Sequence, residues 1–320
     1  MHLIGASRRR SPLPLAAAAG LALALTACGG GDPGAAAAAE SSAADTTVGT
    51  AFGDVAVPAE PTRVVTLAES ALDVALAVGV EPVGTVASRG GDKPPAYLGD
   101  DAAAIPVVAT VAEPNLEAIV EAAPDLILAA SGLEKAQYES LAAIAPTVVP
   151  EAPDRGDWQA PLHTYAEALG ADDELSGRLD AVEERAAALA EEGSLDGTVA
   201  VVRWMATGPV LMNSTHMPGS LLAAVGATPM QAAVDLGSKP HSDPLSLENL
   251  GEVDADRLFL AAFGVDGAAA LDAAESQPAF ARLGAVQSGA VSVVDGGVWS
   301  SASGPIAAEQ VMDDIEAAAG

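Results

Sequence analysis

The sequence predicts an α/β fold in which two α/β lobes with mainly parallel sheets are joined by a long backbone helix. Three observations support this prediction. Short β-rich segments alternate with helical patterns over residues 63–150 and again over 198–319, which is typical of parallel sheets covered on both faces. Residues 154–193, between these regions, have apolar positions at helical spacing and no strand pattern. The third observation is a short module that occurs once in each lobe.

The N-terminal lobe is predicted to comprise residues 55–155. Its strands are short runs rich in apolar and β-branched residues, and its helices have apolar residues at helical spacing. Glycine or proline marks the end of two of these helices. The predicted strands are 63–67, 81–86, 105–110, 125–130 and 146–150, and the predicted helices are 69–79, 115–124 and 134–145.

Residues 156–193 are predicted to form the linking helix. Only Gly170 and Gly177 interrupt the helical pattern, so the segment forms either one helix or two, one of them long. The C-terminal lobe, residues 194–320, then resumes the alternation. Its predicted strands are 198–205, 256–262 and 290–296, and its predicted helices are 219–226, 246–253 and 305–319.

The two lobes share a module of a short helix followed by a strand. Residues 115–130 carry Glu117, and residues 246–262 carry Glu248. In both segments a helix-capping residue stands two places before the glutamate, an aspartate follows eight residues after it, and an apolar strand comes next. The matched spacing favours a repeated architecture over chance similarity.

The first 28 residues have the features of an export signal. Arg8–Arg10 form a basic block, and the apolar run Leu13–Ala27, of about fifteen residues, is too short to span a bilayer comfortably. Small residues precede Cys28, and this stretch resembles the bacterial lipobox, in which the cysteine is lipidated. The alternative is an ordinary signal peptide with a chance cysteine, and both the general and the twin-arginine export routes remain open.

Cys28 is the only cysteine, so a disulfide within the chain is excluded and the fold depends on its hydrophobic core. Residues 29–54 are predicted to be a flexible tether, since their first part is rich in glycine and alanine without apolar periodicity. The formal net charge is −30, from 44 acidic and 14 basic residues. This charge argues against nucleic acid and against direct adhesion to anionic lipid headgroups.

Four stretches of the chain together resemble a known family. They begin with PTRVVTLAES, EPNLEAIVEA, LSLENLGEVD and VVDGGVWSSA, and the resemblance extends over most of residues 61–318. It is to the substrate-binding proteins of ABC importers that take up ferric siderophores, cobalamin or haem. The resemblance implies two α/β lobes, a connecting backbone helix and a shallow ligand cleft between the lobes.

The same resemblance implies a role at the cell surface. The protein would be lipid-anchored through Cys28 at the outer face of the cytoplasmic membrane, and would deliver its ligand to an ABC permease dimer with its ATPase. In the importers that this chain resembles, glutamates matching Glu117 and Glu248 dock on arginines of the two permease subunits. We expect a monomer without enzymatic activity, cofactor or resident metal.

Candidate ligand-binding residues follow the predicted strands or lie in long loops. Ligands of open α/β sheets bind beyond the carboxyl ends of the strands, and arginines can hydrogen-bond the oxygens of an anionic ferric siderophore. Two arginines, one from each lobe, would clamp such a ligand, with aromatic side chains packing on its apolar parts. The candidates are Arg89, Tyr97, Arg203, Trp204, His216, His241 and Trp299.

Other interpretations stay open at this point. The arginines could form surface ion pairs, Trp204 could belong to the core, and the histidines could be solvated loop residues. The chain has Val111 and Ala112 where ferric-hydroxamate binders tend to carry an arginine, which argues against a hydroxamate ligand. Cobalamin or haem is the alternative ligand. A zinc or manganese binder has too few histidines, and no hydrolase, nucleotide-binding or metalloprotease motif supports a surface enzyme.

Overall fold

The computed structural model describes residues 45–154 and 156–320. The predicted signal sequence, Cys28 and the first part of the predicted tether lie outside the described residues. Within the described ranges, no helix combines the length and the apolar character needed to cross a membrane.

An antiparallel hairpin precedes the N-terminal sheet. It is formed by β1 (Thr46–Thr50) and β2 (Gly53–Val57). The tether was predicted to extend through residue 54, and this part of the prediction is wrong. Val48 and Val57 are buried in the N-terminal core, so alternate residues of the hairpin face that core and hold it in place.

The N-terminal sheet has five parallel strands in the order β5-β4-β3-β6-β7. The central strands are buried on both faces, which explains their continuous apolar sequence. The strands are β3 (Val64–Leu67), β4 (Gly84–Val86), β5 (Val107–Ala109), β6 (Leu126–Ala129) and β7 (Thr147–Val148). The helices are α1 (Glu69–Ala77), α2 (Gly99–Ala103), α3 (Leu116–Glu121) and α4 (Lys135–Ala142), with a 3-10 turn at Ala96–Leu98.

Two helices, rather than one, link the lobes. They are α5 (Ala160–Leu169) and α6 (Asp172–Glu192), the latter with 21 residues. Gly170 ends α5 with φ of 69°, a left-handed conformation that glycine adopts without steric cost. Of the two alternatives open from the sequence, the one with two helices is therefore confirmed.

The long helix α6 contributes to the cores of both lobes. Its first half buries Leu175 and Leu179 in the N-terminal core, and its second half buries Val182 and Ala186 in the C-terminal core. These positions are three or four residues apart and form one apolar stripe. Through this stripe, the single helix α6 packs against the cores of both lobes.

The C-terminal sheet has the order β10-β8-β11-β12, and β9 pairs antiparallel with β8. The strands are β8 (Thr198–Met205), β9 (Gly208–Leu211), β10 (Thr228–Pro229), β11 (Arg257–Ala262) and β12 (Val291–Asp295). The helices are α7 (Met217–Ala224), α8 (Gln231–Val234), α9 (Gly264–Glu275), α10 (Gly284–Ser288), α11 (Gly296–Ser300) and α12 (Pro305–Ala319). Residues Leu247–Val253 and Phe280–Arg282 form 3-10 helices.

The aspartates of the repeated module bond a threonine in the same way in both lobes, whereas the predicted cap forms only at Asn115, because Ser246 makes no side-chain capping bond. Asp125 accepts from the backbone N–H and the hydroxyl of Thr62, at 2.9 and 2.8 Å. Asp256 accepts from the same two groups of Thr198, both at 2.7 Å. In each lobe this contact joins the start of one central strand to the start of its parallel neighbour. The shared spacing therefore has a structural reason.

The last helix, α12, joins the two lobes. Its first amides, on Ile306 and Ala307, donate to the carboxylate of Asp73 in α1 at 2.8 and 3.1 Å. Gly304 precedes them, and a Cβ at this position would overlap the Asp73 carboxylate. Further along α12, Glu309 makes two hydrogen bonds with Arg178 of α6, at 2.9 and 3.0 Å.

Candidate functional site

Two adjoining cavities lie between the lobes and share Ser301 in their walls. The smaller, of about 260 Å³, lies at the carboxyl ends of β3, β4, β11 and β12. The larger, of about 400 Å³, is formed by residues that follow β3 and β6 and by the loops 212–217, 237–240 and 300–303. This position agrees with the expectation that ligands of α/β folds bind beyond the carboxyl ends of strands.

Arg89 and Arg203 approach each other from opposite lobes at the smaller cavity. Arg89 is exposed and lines the cavity from the loop after β4. The guanidinium of Arg203, near the end of β8, lies 3.8 Å above the ring of Phe263, which also lines the cavity. Partial burial lowers the pKa of Arg203, and the positive charge of Arg89 lowers it further. Arg89 thus lies in the wall of the cavity, and the Arg203 guanidinium lies against Phe263 of the same wall from the other lobe.

The environment of these two arginines differs from that of most others. Arg63, Arg178 and Arg257 each donate to backbone carbonyls, and Arg178 also pairs with a carboxylate. Within the described ranges, neither Arg89 nor Arg203 has a carboxylate within 4.0 Å or a hydrogen bond from its guanidinium. The Nε of Arg203 is buried without a partner. Arg282 also lacks such a partner among the described residues, but it is exposed and lines neither cavity, so Arg89 and Arg203 differ from it by their place at the cavity.

Two carboxylates also line the smaller cavity, and both are engaged by backbone groups. Glu69 accepts from the backbone N–H of Arg89 at 2.6 Å. Burial raises the pKa of Glu69, while this hydrogen bond and the charge of Arg89 oppose the rise. Asp295 caps α11 by accepting from the backbone N–H of Val298 at 2.9 Å. These contacts leave the arginine guanidinium groups available to a ligand.

Tyr97 lines the smaller cavity, as predicted, but its hydroxyl is already used. It donates to Asp73 at 2.8 Å. Burial raises the pKa of Tyr97 well above its usual value, and the nearby Asp73 carboxylate adds to the rise. Tyr97 therefore offers its ring rather than its hydroxyl to the cavity.

The larger cavity has a lining of hydroxyl groups around His216. Asn213 positions this wall, because its side-chain amide donates to the carbonyls of Gly237 and Lys239 at 3.0 and 2.8 Å. Its Oδ1 accepts from the backbone N–H of Thr215 at 2.9 Å. These bonds join the loop that carries His216 to the loop that carries Lys239. The hydroxyl-bearing residues of the lining are Ser70, Ser131, Thr215, Ser238, Ser300, Ser301 and Ser303.

His216 is neutral in this environment. Burial lowers its pKa to about 4, and the backbone groups of Asn213 and Trp299 oppose that shift only in part. These backbone groups lie near the ring, but neither ring nitrogen has a hydrogen bond of normal length and angle with the described residues. His241, by contrast, lines neither cavity and bonds the carbonyl of Ser242 at 2.7 Å. The structure thus brings one of the two predicted histidines to the cleft.

The predicted ligand contacts of Trp204 and Trp299 are wrong, because both side chains are buried, at 2% and 0% exposure. Trp204 lies within β8, two residues after Val202, so it shares the core-facing side of the strand with Val202 and packs edge-on against Phe280. The predicted loop around Trp299 is helix α11. Its indole stacks on Phe259 and donates to a carboxylate of α12.

Several cavity residues have no strong sequence signal. Trp158, in the segment before α5, is the tryptophan that lines the larger cavity. Phe263 follows β11 and Ser301 follows α11, but single serines and phenylalanines are common in such positions. The serine-rich run SSASG at residues 300–304 was the available signal. Among the described residues, no group of three or more His, Cys, Asp or Glu side chains could hold a metal ion.

Glu117 and Glu248 lie outside both cavities and are exposed. Glu117 is in the first turn of α3, whose cap Asn115 accepts from the backbone N–H of Ala118 at 3.2 Å. Glu248 is in the first turn of the 3-10 helix Leu247–Val253. Each glutamate follows an exposed leucine.

Comparison with known proteins gives a consistent result. The family model described as periplasmic binding protein matches residues 64–296. The probable siderophore-binding lipoprotein YfiY of Bacillus subtilis is 31% identical over 304 residues, covering 92% of this chain and 93% of the relative. The Fe(3+)-citrate-binding protein YfmC of the same organism is 28% identical and covers 82% of each chain.

Solved structures show the same two-lobed architecture. The structure of SirA from Staphylococcus aureus complexed with staphyloferrin B has a TM-score of 0.72 and 26% identity, and covers 85% of this chain and 98% of that one. A siderophore periplasmic binding protein from the fuscachelin gene cluster of Thermobifida fusca has a TM-score of 0.68 and 26% identity, covering 82% and 98%. The family match extends over more than half of the sequence, and the chain belongs to the periplasmic binding protein family.

Proposed function

We propose that this protein captures a ferric siderophore in the cleft between its lobes and delivers it to an ABC permease dimer with its ATPase. The observation that carries this proposal is a pair of arginines without carboxylate partners at the smaller cavity: Arg89 lines it, and the guanidinium of Arg203 lies against Phe263 of its wall. Arginine hydrogen-bonds anionic oxygens in a fixed fork geometry and keeps its charge at all physiological pH values. An anionic ferric complex would supply the missing partners.

The relatives support the same class of ligand. Their names assign siderophore binding to YfiY, Fe(3+)-citrate binding to YfmC and achromobactin binding to a periplasmic protein of Dickeya dadantii. Binding proteins of this family act without chemistry on the ligand, so we infer that this chain is not an enzyme. The residues that line the cavities offer many hydrogen-bond donors but no pair of aromatic rings that could enclose a flat macrocycle. This lining favours an oxygen-rich ferric complex over cobalamin or haem.

The proposed place of action is the outer face of the cytoplasmic membrane, where diacylated Cys28 would anchor the protein. We expect the anchored protein to be a monomer. Two acyl chains anchor a protein firmly, whereas one chain holds it only marginally. Two of the relatives are named as lipoproteins, YfiY and YhfQ of Bacillus subtilis. The acidic composition of this chain argues against direct adhesion to anionic headgroups, so the anchor would provide the membrane contact.

Glu117 and Glu248 are the proposed contacts to the permease. Each carboxylate lies at the start of a short helix, where it offsets the positive end of that helix. Helix stabilisation explains one glutamate well but does not explain why both are exposed beside an exposed leucine, Leu116 or Leu247. A two-lobed protein that meets a two-fold permease needs one contact from each lobe. The duplicated arrangement fits that need.

The proposal is tested by titrating the purified protein with ferric citrate, a ferric tris-catecholate, ferrioxamine B, cobalamin and haem, using native mass spectrometry and tryptophan fluorescence. We expect at least one ferric siderophore complex to bind with one-to-one stoichiometry. Binding of cobalamin or haem alone, or of none of the five, would contradict the proposed function.

A further inference from the structure

A buried carboxyl group lies one helical turn behind the cavity walls. Asp73 has 0% exposure and lines neither cavity. Glu69 and Ser70, in the first turn of the same helix α1, line the smaller and the larger cavity respectively. Residues three and four positions apart share one side of a helix, so Asp73 lies on the side of α1 that leads to the cleft.

The Asp73 carboxylate bonds groups from both lobes. From the N-terminal lobe it accepts from the hydroxyl of Tyr97, whose ring lines the smaller cavity. From the C-terminal lobe it accepts from the backbone N–H groups of Ile306 and Ala307, in the first turn of α12. The first amides of a helix have no partner within that helix. The hydrogen bonds of these two amides therefore depend on Asp73.

The segment just before these amides is part of the cavity wall. Residues 300–303 line the larger cavity, and Ser301 lines the smaller one as well. Gly304 follows, and a Cβ at this position would overlap the Asp73 side chain, so the backbone passes directly against the carboxyl group. The position of residues 300–303 relative to Tyr97 therefore depends on the contacts of Asp73.

Apart from its first turn, α12 belongs to the C-terminal lobe. Ala308, Val311 and Ile315 are buried in the C-terminal core. Ile306 packs instead with Leu72 and other residues of a small apolar cluster in the N-terminal lobe. The start of α12 thus crosses from one lobe to the other at Asp73. A buried carboxylate that loses its donors pays a large desolvation penalty, which favours the bonded arrangement.

We infer that Asp73 is a positioning residue for ligand binding, which holds the wall at Tyr97 and the wall at residues 300–303 in the arrangement that accepts the ligand. This inference rests on the proposed function and adds to it a residue outside both cavities. Without these bonds the walls would have the binding arrangement only part of the time, and the apparent affinity would fall by that fraction. Linkage also requires the reverse, namely that bound ligand stabilises the Asp73 contact.

Hydrogen exchange followed by mass spectrometry tests the contact. Asp73→Asn replaces an acceptor oxygen by an NH₂ group, which cannot accept from the donors that surround it. At pH 7.5, peptides that contain Ile306 and Ala307 should exchange roughly tenfold faster in this variant than in the wild type. Peptides from the N-terminal sheet should keep their exchange rates. In the wild type, bound ligand should slow exchange at these two amides.

Titration of the same proteins at pH 7.5 measures the effect on binding. The probe is whichever of ferric citrate, a ferric tris-catecholate and ferrioxamine B the wild type binds most tightly. Asp73→Asn should weaken its binding roughly tenfold. Tyr97→Phe keeps the ring and the carboxylate but loses one of three bonds, and should weaken binding roughly threefold.

Arg185→Ala is the matched control. Arg185 of α6 pairs with Asp313 and Glu316 in the second half of α12 and lines neither cavity. This variant removes two ion pairs that hold α12 but leaves the Asp73 contact intact. It should keep the wild-type affinity and the wild-type exchange rates at Ile306 and Ala307.

The outcomes separate this inference from the proposed function. Unchanged affinity in both Asp73→Asn and Tyr97→Phe overturns the inference and leaves siderophore capture intact, and Tyr97→Phe alone decides if Asp73→Asn does not fold. Exchange that rises equally over the whole chain also overturns it, because Asp73 would then only stabilise the fold. An equal loss of affinity in Arg185→Ala overturns it too, since any loosening of α12 would suffice. Absence of binding by all three complexes to the wild type overturns the proposed function and the positioning role together.

Discussion

Replacement of Asp73 by asparagine should change how the stability of this protein depends on pH. The Asp73 carboxylate is fully buried at the contact between the lobes, where it accepts from Tyr97 and from the first amides of α12. Burial raises the pKa of this carboxyl to about 6, because the charged form loses its hydration. The hydrogen bonds from Ile306, Tyr97 and Ala307 oppose the rise, as does the charge of Arg178.

The size of the effect follows from the two pKa values. An aspartate in the unfolded chain titrates near 3.9. Because the folded pKa is higher, protonation of Asp73 favours folding. This stabilisation is fully present below the unfolded pKa and is lost as the pH rises through about 6. The whole change is about 3 kcal/mol, and about 1.4 kcal/mol of it falls between pH 5 and pH 7.5.

Urea unfolding followed by far-UV circular dichroism measures this difference. Asparagine has the same shape but does not titrate, so the other carboxylates cancel when the two proteins are compared. The destabilisation caused by Asp73→Asn, measured as the wild-type minus the variant free energy of unfolding, should be about 1.4 kcal/mol smaller at pH 7.5 than at pH 5. Tyr97→Phe keeps the carboxylate but removes a hydrogen bond that lowers its pKa, so its stability should fall between pH 5 and pH 7.5 by at least as much as that of the wild type. An equal loss at both pH values in Asp73→Asn would refute the argument.

Three further predictions concern the anchor, the permease contact and the cleft. Cys28→Ala should release the protein to the medium or leave it unprocessed, and membrane-bound protein of mature size would exclude the lipid anchor. The Glu117→Arg, Glu248→Arg double variant should bind ferric siderophore as the wild type does but lose uptake in the complemented strain, because like charges would repel at the proposed contact with permease arginines. Full uptake would leave helix stabilisation as the only role of the two glutamates. Ligand binding should quench Trp158 most, so Trp158→Phe should remove the largest part of the fluorescence change, and an undiminished change would assign it to a core tryptophan such as Trp299.

The sequence predicts the secondary structure and the repeat well because both depend on local patterns. Alternating strands and helices, the capping residue of α3 and the aspartates at matched spacing all appear as expected. The hairpin β1–β2 was missed because its strands are short and follow a glycine- and alanine-rich stretch. Only its burial against the N-terminal core distinguishes it from a tether.

The candidate site was predictable only in part. Arginines that follow strands in a very acidic chain were predicted to bind the ligand, and the structure places Arg89 and Arg203 at the cleft. The two misplaced tryptophans depend on information that the sequence does not contain locally. Trp204 faces the core because it points to the same side of β8 as the buried Val202, and Trp299 does so because α11 packs on the sheet. Residues such as Trp158 reach the cavity only through the packing of distant segments.

The most direct test of the account is the affinity of Arg203→Ala for the ferric siderophore that the wild type binds most tightly. The guanidinium of Arg203 lies against Phe263 of the cavity wall, and we predict a loss of about 1.5–3 kcal/mol in binding free energy, or roughly tenfold to 150-fold in Kd. Arg89→Ala should also weaken binding. Arg282→Ala, an exposed arginine that lines neither cavity, should bind as the wild type does. Unchanged affinity in both Arg89→Ala and Arg203→Ala would contradict the central claim that two arginines from opposite lobes hold the ligand.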